Sequence, residues 1–200
     1  MRHLLVSTCL ALGAAAALSF AWPSAQEDNQ AAMAEMMKKA ARYTKPGENH
    51  KLLGKFLGHW TTETRFFLGD KPTPPEAGTT EFSWLMEGRW LQSRSHGSMG
   101  GMPVDVYYVL GYDNFKMSYV CTGVSSIDTA MTRVEGDLTQ DGKVLICYGT
   151  LDEYTTGEND KMVKYAWRFV DDDTIVFECH DLPIGETHTK VLEITYHRAK

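Results

Sequence analysis

The feature that most constrains this chain is its hydrophobic period. From Leu57 to the C-terminus polar and apolar residues alternate with a period of two, with no run at helical spacing. In the first run Trp60, Thr62, Thr64, Phe66 and Leu68 share one face, and Thr61, Glu63 and Arg65 the other. Similar runs follow at 78–86, 89–96, 103–110, 115–122, 129–136, 143–150, 162–170, 174–180 and 188–197, with turn-forming residues between them. About ten short sequential strands predict an antiparallel meander. Closure into an up-and-down barrel removes its two exposed edges. A two-sheet sandwich is the other architecture the pattern allows.

The links between runs predict where a barrel would open. Those at 69–77, 97–102, 123–128, 151–161 and 181–187 are long, whereas those at 87–88, 112–114, 137–142 and 171–173 are short. Alternate links of a meander lie at opposite ends, so one end becomes an open mouth and the other a closed floor. Before the strands, residues 26–42 read as a helix with Met33, Met36, Met37 and Ala40 in one stripe. Pro46-Gly47 breaks it. Residues 48–56 then form a second short helix with Leu52, Leu53 and Phe56 on one side. The expected fold is mainly β: an antiparallel up-and-down barrel of about ten strands, with one or two N-terminal helices covering its closed end.

Residues 1–25 read as a signal peptide, with Arg2 before an apolar stretch and small residues at cleavage positions after Ala21 or Ala25. This divides the chain into a leader (1–25), a helical segment (26–56) and a barrel (57–200). It predicts a periplasmic or secreted protein with no stable membrane span after cleavage. The formal charge of −6 becomes −7 when Arg2 is removed. An acidic chain with scattered lysines lacks the footprint of a nucleic-acid binder. Cys121, Cys147 and Cys179 fall in separate strands, an odd number expected to remain as buried thiols.

Strand parity assigns a lining. If Trp60 points inward, the more apolar faces place Phe66, Trp84, Tyr108, Tyr119, Tyr165, Trp167 and Phe177 inside. Phe82, Val106, Met117, Val163, Ile175, Leu192, Ile194 and Tyr196 join them. The same parity turns His188, Lys190 and Arg198 inward. The strand at 89–96 is ambiguous because both of its faces are polar. An aromatic interior with a few polar groups suits a small, largely apolar or amphipathic ligand. The plainer alternative is that the rings only fill the barrel.

Pro46-Gly47-Glu48-Asn49-His50, Leu57-Gly58-His59-Trp60, Gly88-Arg89-Trp90-Leu91, Gly111-Tyr112-Asp113-Asn114, Asp171-Asp172-Asp173-Thr174 and Glu193-Ile194-Thr195-Tyr196 together resemble the bacterial domain of unknown function family 1579. The likeness spans nearly everything after residue 32. That family carries no agreed activity, so the resemblance transfers no catalytic residues. One departure is visible, Thr122-Gly123 where the family often has a Trp after the fifth strand. More broadly the chain is similar to the calycins, the lipocalin and fatty-acid-binding group. That resemblance implies a structural floor of Gly58, Trp60 and Arg198, the guanidinium packing across the indole. His59 then points outward as a bystander.

Candidate chemistry is thin. His96, Met99 and Met102 form a His-x-x-Met-x-x-Met run of donors that suit copper, but in an ordinary glycine-rich loop. His180 and His188 flank one loop as zinc candidates with conflicting parity, and His188 is the candidate ligand for a haem. Asp171-Asp172-Asp173 has too few oxygens at the right spacing for calcium. No nucleophile elbow is present. No catalytic residue, metal or cofactor is therefore called. The leading expectation is a ligand-binding barrel in which His188, Lys190 and the lumen tyrosines orient a polar end. An enzyme using the lumen (lyase, isomerase or haem-dependent) and a non-catalytic cell-envelope interaction module are the alternatives.

Overall fold

The computed structural model describes residues 25–68, 71–154, 156–182 and 189–200, with side chains from residue 28. The chain divides into two units, 1–41 and 42–200. The first contributes most of helix α1 (Ala25–Thr44), along which Met33, Met36 and Met37 are exposed. Except for Ala25, the expected leader lies outside the described residues. Among the described residues no helix is long and apolar enough to cross a membrane.

The second unit begins with a short helix at Glu48–Lys55, followed by eleven strands. These are β1 (Gly58–Leu68), β2 (Lys71–Pro72), β3 (Glu76–Met86), β4 (Trp90–Met99), β5 (Met102–Asp113) and β6 (Ser118–Ser125). The remainder are β7 (Thr132–Leu138), β8 (Val144–Glu153), β9 (Glu158–Phe169), β10 (Thr174–Asp181) and β11 (Lys190–Arg198). Each long strand pairs antiparallel with the next, and β11 pairs back onto β1 from Trp60↔Arg198 to Phe66↔Leu192. Ten strands thus close into a barrel, with β2 a two-residue rung at the end of β1. Unbroken pairing all the way round excludes the sandwich.

The short helix is 3₁₀ rather than α. Eight residues with a glycine inside them are too few to sustain an α-helical nucleus. Its Leu52 and Leu53, with Phe56 just beyond it, are buried with Trp60 and plug the closed end.

Three details depart from the sequence expectation. The expected link at 97–102 is strand almost to its tip, because β4 and β5 run on to a two-residue turn at Gly100-Gly101. The φ values there, +59° and +80°, suit the hairpin turn whose twist matches the strands. The Glu76 carboxylate holds this turn, accepting the Gly100 N–H at 2.8 Å and the Ser98 hydroxyl. Likewise β8 and β9 extend into the expected 151–161 link, so the mouth carries two projecting hairpins as well as loops. Met117 does not face the lumen. It has φ +57°, is 71% exposed, and closes the turn that the Asp113 carbonyl and carboxylate organise.

Candidate functional site

The floor is built from backbone and π contacts. Trp60 donates its indole N–H to the Phe56 carbonyl at 2.7 Å. The Arg198 guanidinium lies 4.1 Å from the centre of the Trp60 ring, the geometry of a cation–π contact. It also donates to three carbonyls: Leu57 at 2.6 Å, Asp172 at 3.0 Å and Lys55 at 3.1 Å. Gly58 sits at φ +117°, and a Cβ there would lie 3.2 Å from Arg198 Nη1. One arginine therefore satisfies carbonyls at the helix end and at the β9–β10 turn while covering the plug. His59 is exposed on the opposite face.

Above the floor the lumen holds two adjoining chambers. The inner chamber, about 120 Å³, is bounded by Phe56, Phe82, Leu91, Cys121, Trp167 and Phe177. The outer chamber, about 250 Å³, is bounded towards the mouth by Thr62, Phe66, Val104, Thr132, Leu151 and Tyr165. Ser95, Val106, Tyr108, Leu192, Ile194 and Tyr196 border both, so the two meet at a waist. The Tyr108 ring lies directly over Gly123, where a Cβ would come within 2.1 Å of it. A larger side chain at this point would have to displace that ring.

The polar groups at the waist are neutral. Tyr165 shares the wall of the outer chamber with Thr132 and Tyr108. Burial is the main cause that raises the phenols of Tyr108, Tyr165 and Tyr196 well above the ordinary value. Thr80 and Ser95 share a hydrogen bond at 2.8 Å, and Thr62, Thr80 and Ser93 are buried. Cys121, Cys147 and Cys179 are buried free thiols, and burial pushes Cys147 and Cys179 up to about 12. They are protonated and poor nucleophiles.

The structure brings Phe66, Tyr108, Tyr165, Trp167 and Phe177 to the lumen wall. Tyr119 and Trp84 take other places. Tyr119 is buried beside the floor and donates its hydroxyl to the Asn49 carbonyl at 2.8 Å. Trp84 packs half-buried against the core at the end of β3. Both lie at the floor ends of their strands, where the 3₁₀ helix already fills the interior.

Lys190 is corrected outright. The register between β10 and β11 runs Cys179↔Leu192 and then His180↔Lys190, so Val191 is an extra residue in a β-bulge. Val191 and Leu192 both pack on the core, and Lys190 is turned to the outer face. There it pairs with Glu193 at 2.6 Å and Glu178 at 3.2 Å, with Phe67 beneath it. Parity counting fails wherever the count itself is broken. His188 lies outside the described residues.

Sequence reading missed the hydroxyl groups Ser93 and Ser95 on the wall. The signal was the ambiguity of 89–96, whose inward face is Leu91-x-Ser93-x-Ser95. The His96 ring is paired with Asp105 at 2.6 Å on the exterior, and His180 Nδ1 lies 3.0 Å from the Thr189 hydroxyl. Asp171 to Asp173 form a turn in which Asp173 N–H donates to the Asp171 carboxylate. Among the described residues, no three His, Cys, Asp or Glu side chains gather as metal ligands.

Among solved structures, Rv2717c from M. tuberculosis is similar with a TM-score of 0.55 at 13% identity, covering 78% of this chain and 100% of that one. The S-type phycobiliprotein lyase CPES from Guillardia theta has a TM-score of 0.53 at 10% identity, covering 80% and 96% respectively. At such identities the likeness is one of fold, that of a calycin-like barrel. No curated protein matches the sequence. The family model described as "Protein of unknown function (DUF1579)" matches residues 45–198, the whole span from the floor helix to the arginine that seals it. The chain belongs to the DUF1579 family.

Proposed function

We propose that the barrel binds a small, largely apolar molecule in its lumen. The observation that carries this is a pair of adjoining chambers with shared walls, an apolar inner one of about 120 Å³ and an outer one of about 250 Å³ that carries several hydroxyls. For comparison, an apolar cavity of roughly 150 Å³ stays dry and takes up benzene. Trp167 and Phe177 would receive the apolar body, and Tyr108 with Tyr165 the polar end. The fold shared with a phycobiliprotein lyase is compatible with a barrel that holds a small molecule.

The sequence also supports export, through the charged, apolar and small-residue segments of residues 1–25. Sequencing the mature N-terminus should find Trp22 or Gln26 first, and an intact Met1 would remove that part of the reading. The test of binding is a native mass spectrum of protein from its source beside a denatured one. A reproducible extra mass, lost on denaturation, is the expected result. The bare chain mass, together with no uptake of any apolar probe, would overturn the reading.

A further inference from the structure

We infer that the lumen selects a neutral ring-bearing molecule with a hydroxyl or carbonyl oxygen and rejects the corresponding carboxylate. This rests on the ligand-binding reading and names its chemical class.

The lumen has two unlike walls. One carries hydroxyls in adjacent strands: Thr62 on β1, Thr80 on β3, and Ser93 and Ser95 on β4. Halfway round the strand order, Tyr165 and Trp167 on β9 stand across from β4, with Phe177 beside them on β10. The Trp167 and Phe177 rings lie 4.9 Å apart at 42°, an aromatic surface suited to an offset ring. Opposite it, the Thr80–Ser95 pair uses one O–H in its mutual bond. Each hydroxyl offers one donor and two lone pairs, so the pair retains one donor and spare acceptors for a ligand oxygen.

Charge decides the rest. An ionised carboxylate taken into an apolar chamber needs a cationic partner, without which the cost far exceeds that of a hydrogen-bonded neutral group. Among the described residues, no lysine or arginine lines either chamber. Nearby cations are already engaged: Lys190 with Glu178 and Glu193, Lys161 with Asp181 at 2.6 Å, and Arg198 in the floor. Among the described residues, Asp128 is the one acidic residue on the wall; it stands in the outer chamber and adds negative potential. Where an ionised acid would need a cation, the described wall offers hydroxyls.

The experiment is calorimetric titration with three bicyclic probes near pH 8, where a carboxylate is ionised and a phenol is neutral. The probes are naphthalene, 2-naphthol and 2-naphthoate. We expect 2-naphthol to bind roughly tenfold more tightly than naphthalene, the value of about one hydrogen bond. Naphthoate should bind at least about a hundredfold more weakly than the naphthol. Thr80→Val with Ser95→Ala should abolish the preference, bringing 2-naphthol to within about twofold of naphthalene measured on the same variant. Ser95→Ala alone serves if the double variant loses its β-sheet circular dichroism. Naphthoate binding within tenfold of the naphthol, or a naphthol preference that survives the substitutions, would overturn the inference while binding itself stands. If none of the three probes binds, this inference fails, and the ligand-binding reading falls with it where protein from its source also shows only the bare chain mass.

Discussion

The two ends of one barrel are built on opposite principles. At the floor, Leu53, Phe56 and Trp60 are almost wholly buried, and a single arginine bonds three carbonyls and an indole face. At the mouth, strands run past the last layer of packing, hairpins project, and the interior is hydroxyl-lined space. The floor has more constraints than it needs to hold one geometry, and the mouth has fewer. Stability should therefore reside at one end and selectivity at the other.

The largest effect should come from breaking the floor. Trp60→Ala removes a fully buried indole together with the surface that Arg198 covers, and should cost about 3–5 kcal/mol. Urea unfolding measures it, and a loss below about 1 kcal/mol would mean that the plug is replaceable. Gly123→Ala strikes the other end. The new methyl overlaps the Tyr108 ring, so overpacking should cost about 1–3 kcal/mol. Probe affinity should fall with it, because Tyr108 borders both chambers. Unchanged affinity would separate the waist from binding.

Alkali should test the buried thiols of the wall. Cys147 and Cys179 rise from an ordinary value of 9.0 to about 12 in the folded chain. The unfolded chain thus releases these protons first. Their contribution to stability is complete below about pH 9 and is lost between pH 9 and 12. Unfolding midpoints should fall over that window, and should fall less in Cys147→Ala. Native thiols should also resist a disulfide reagent near neutrality and react once the chain unfolds. The smallest effect belongs to Lys190→Ala. It removes two partly exposed ion pairs on the outer face, together worth about 1 kcal/mol, and should leave probe binding untouched.

Much of the floor was legible because its signals are local. Gly58-x-Trp60 at the start of the first alternating run needs only parity and a glycine, and the strand count needs only turns. The mouth was less legible because its geometry depends on register across strands. Nothing in the sequence near Val191 announces a bulge, which exists only relative to β10. Gly100-Gly101 read as hairpin-loop residues of a long link, 97–102, because a glycine pair does not say how short the turn is until the flanking strands are paired. The hydroxyl wall was hidden for a simpler reason. Ser93 and Ser95 are inward polar residues, and a search for apolar faces passes over them.

The bulge at Val191 bears on how such a barrel could change its cargo. One residue inserted opposite it, between Cys179 and His180, would give Val191 a partner and restore strict alternation along the last strand. Lys190 would then swing from the exterior to the interior, and a chamber with no cation on its described wall would gain one. Three added nucleotides, altering no existing side chain, would be enough to convert a lumen suited to uncharged rings into one suited to acids.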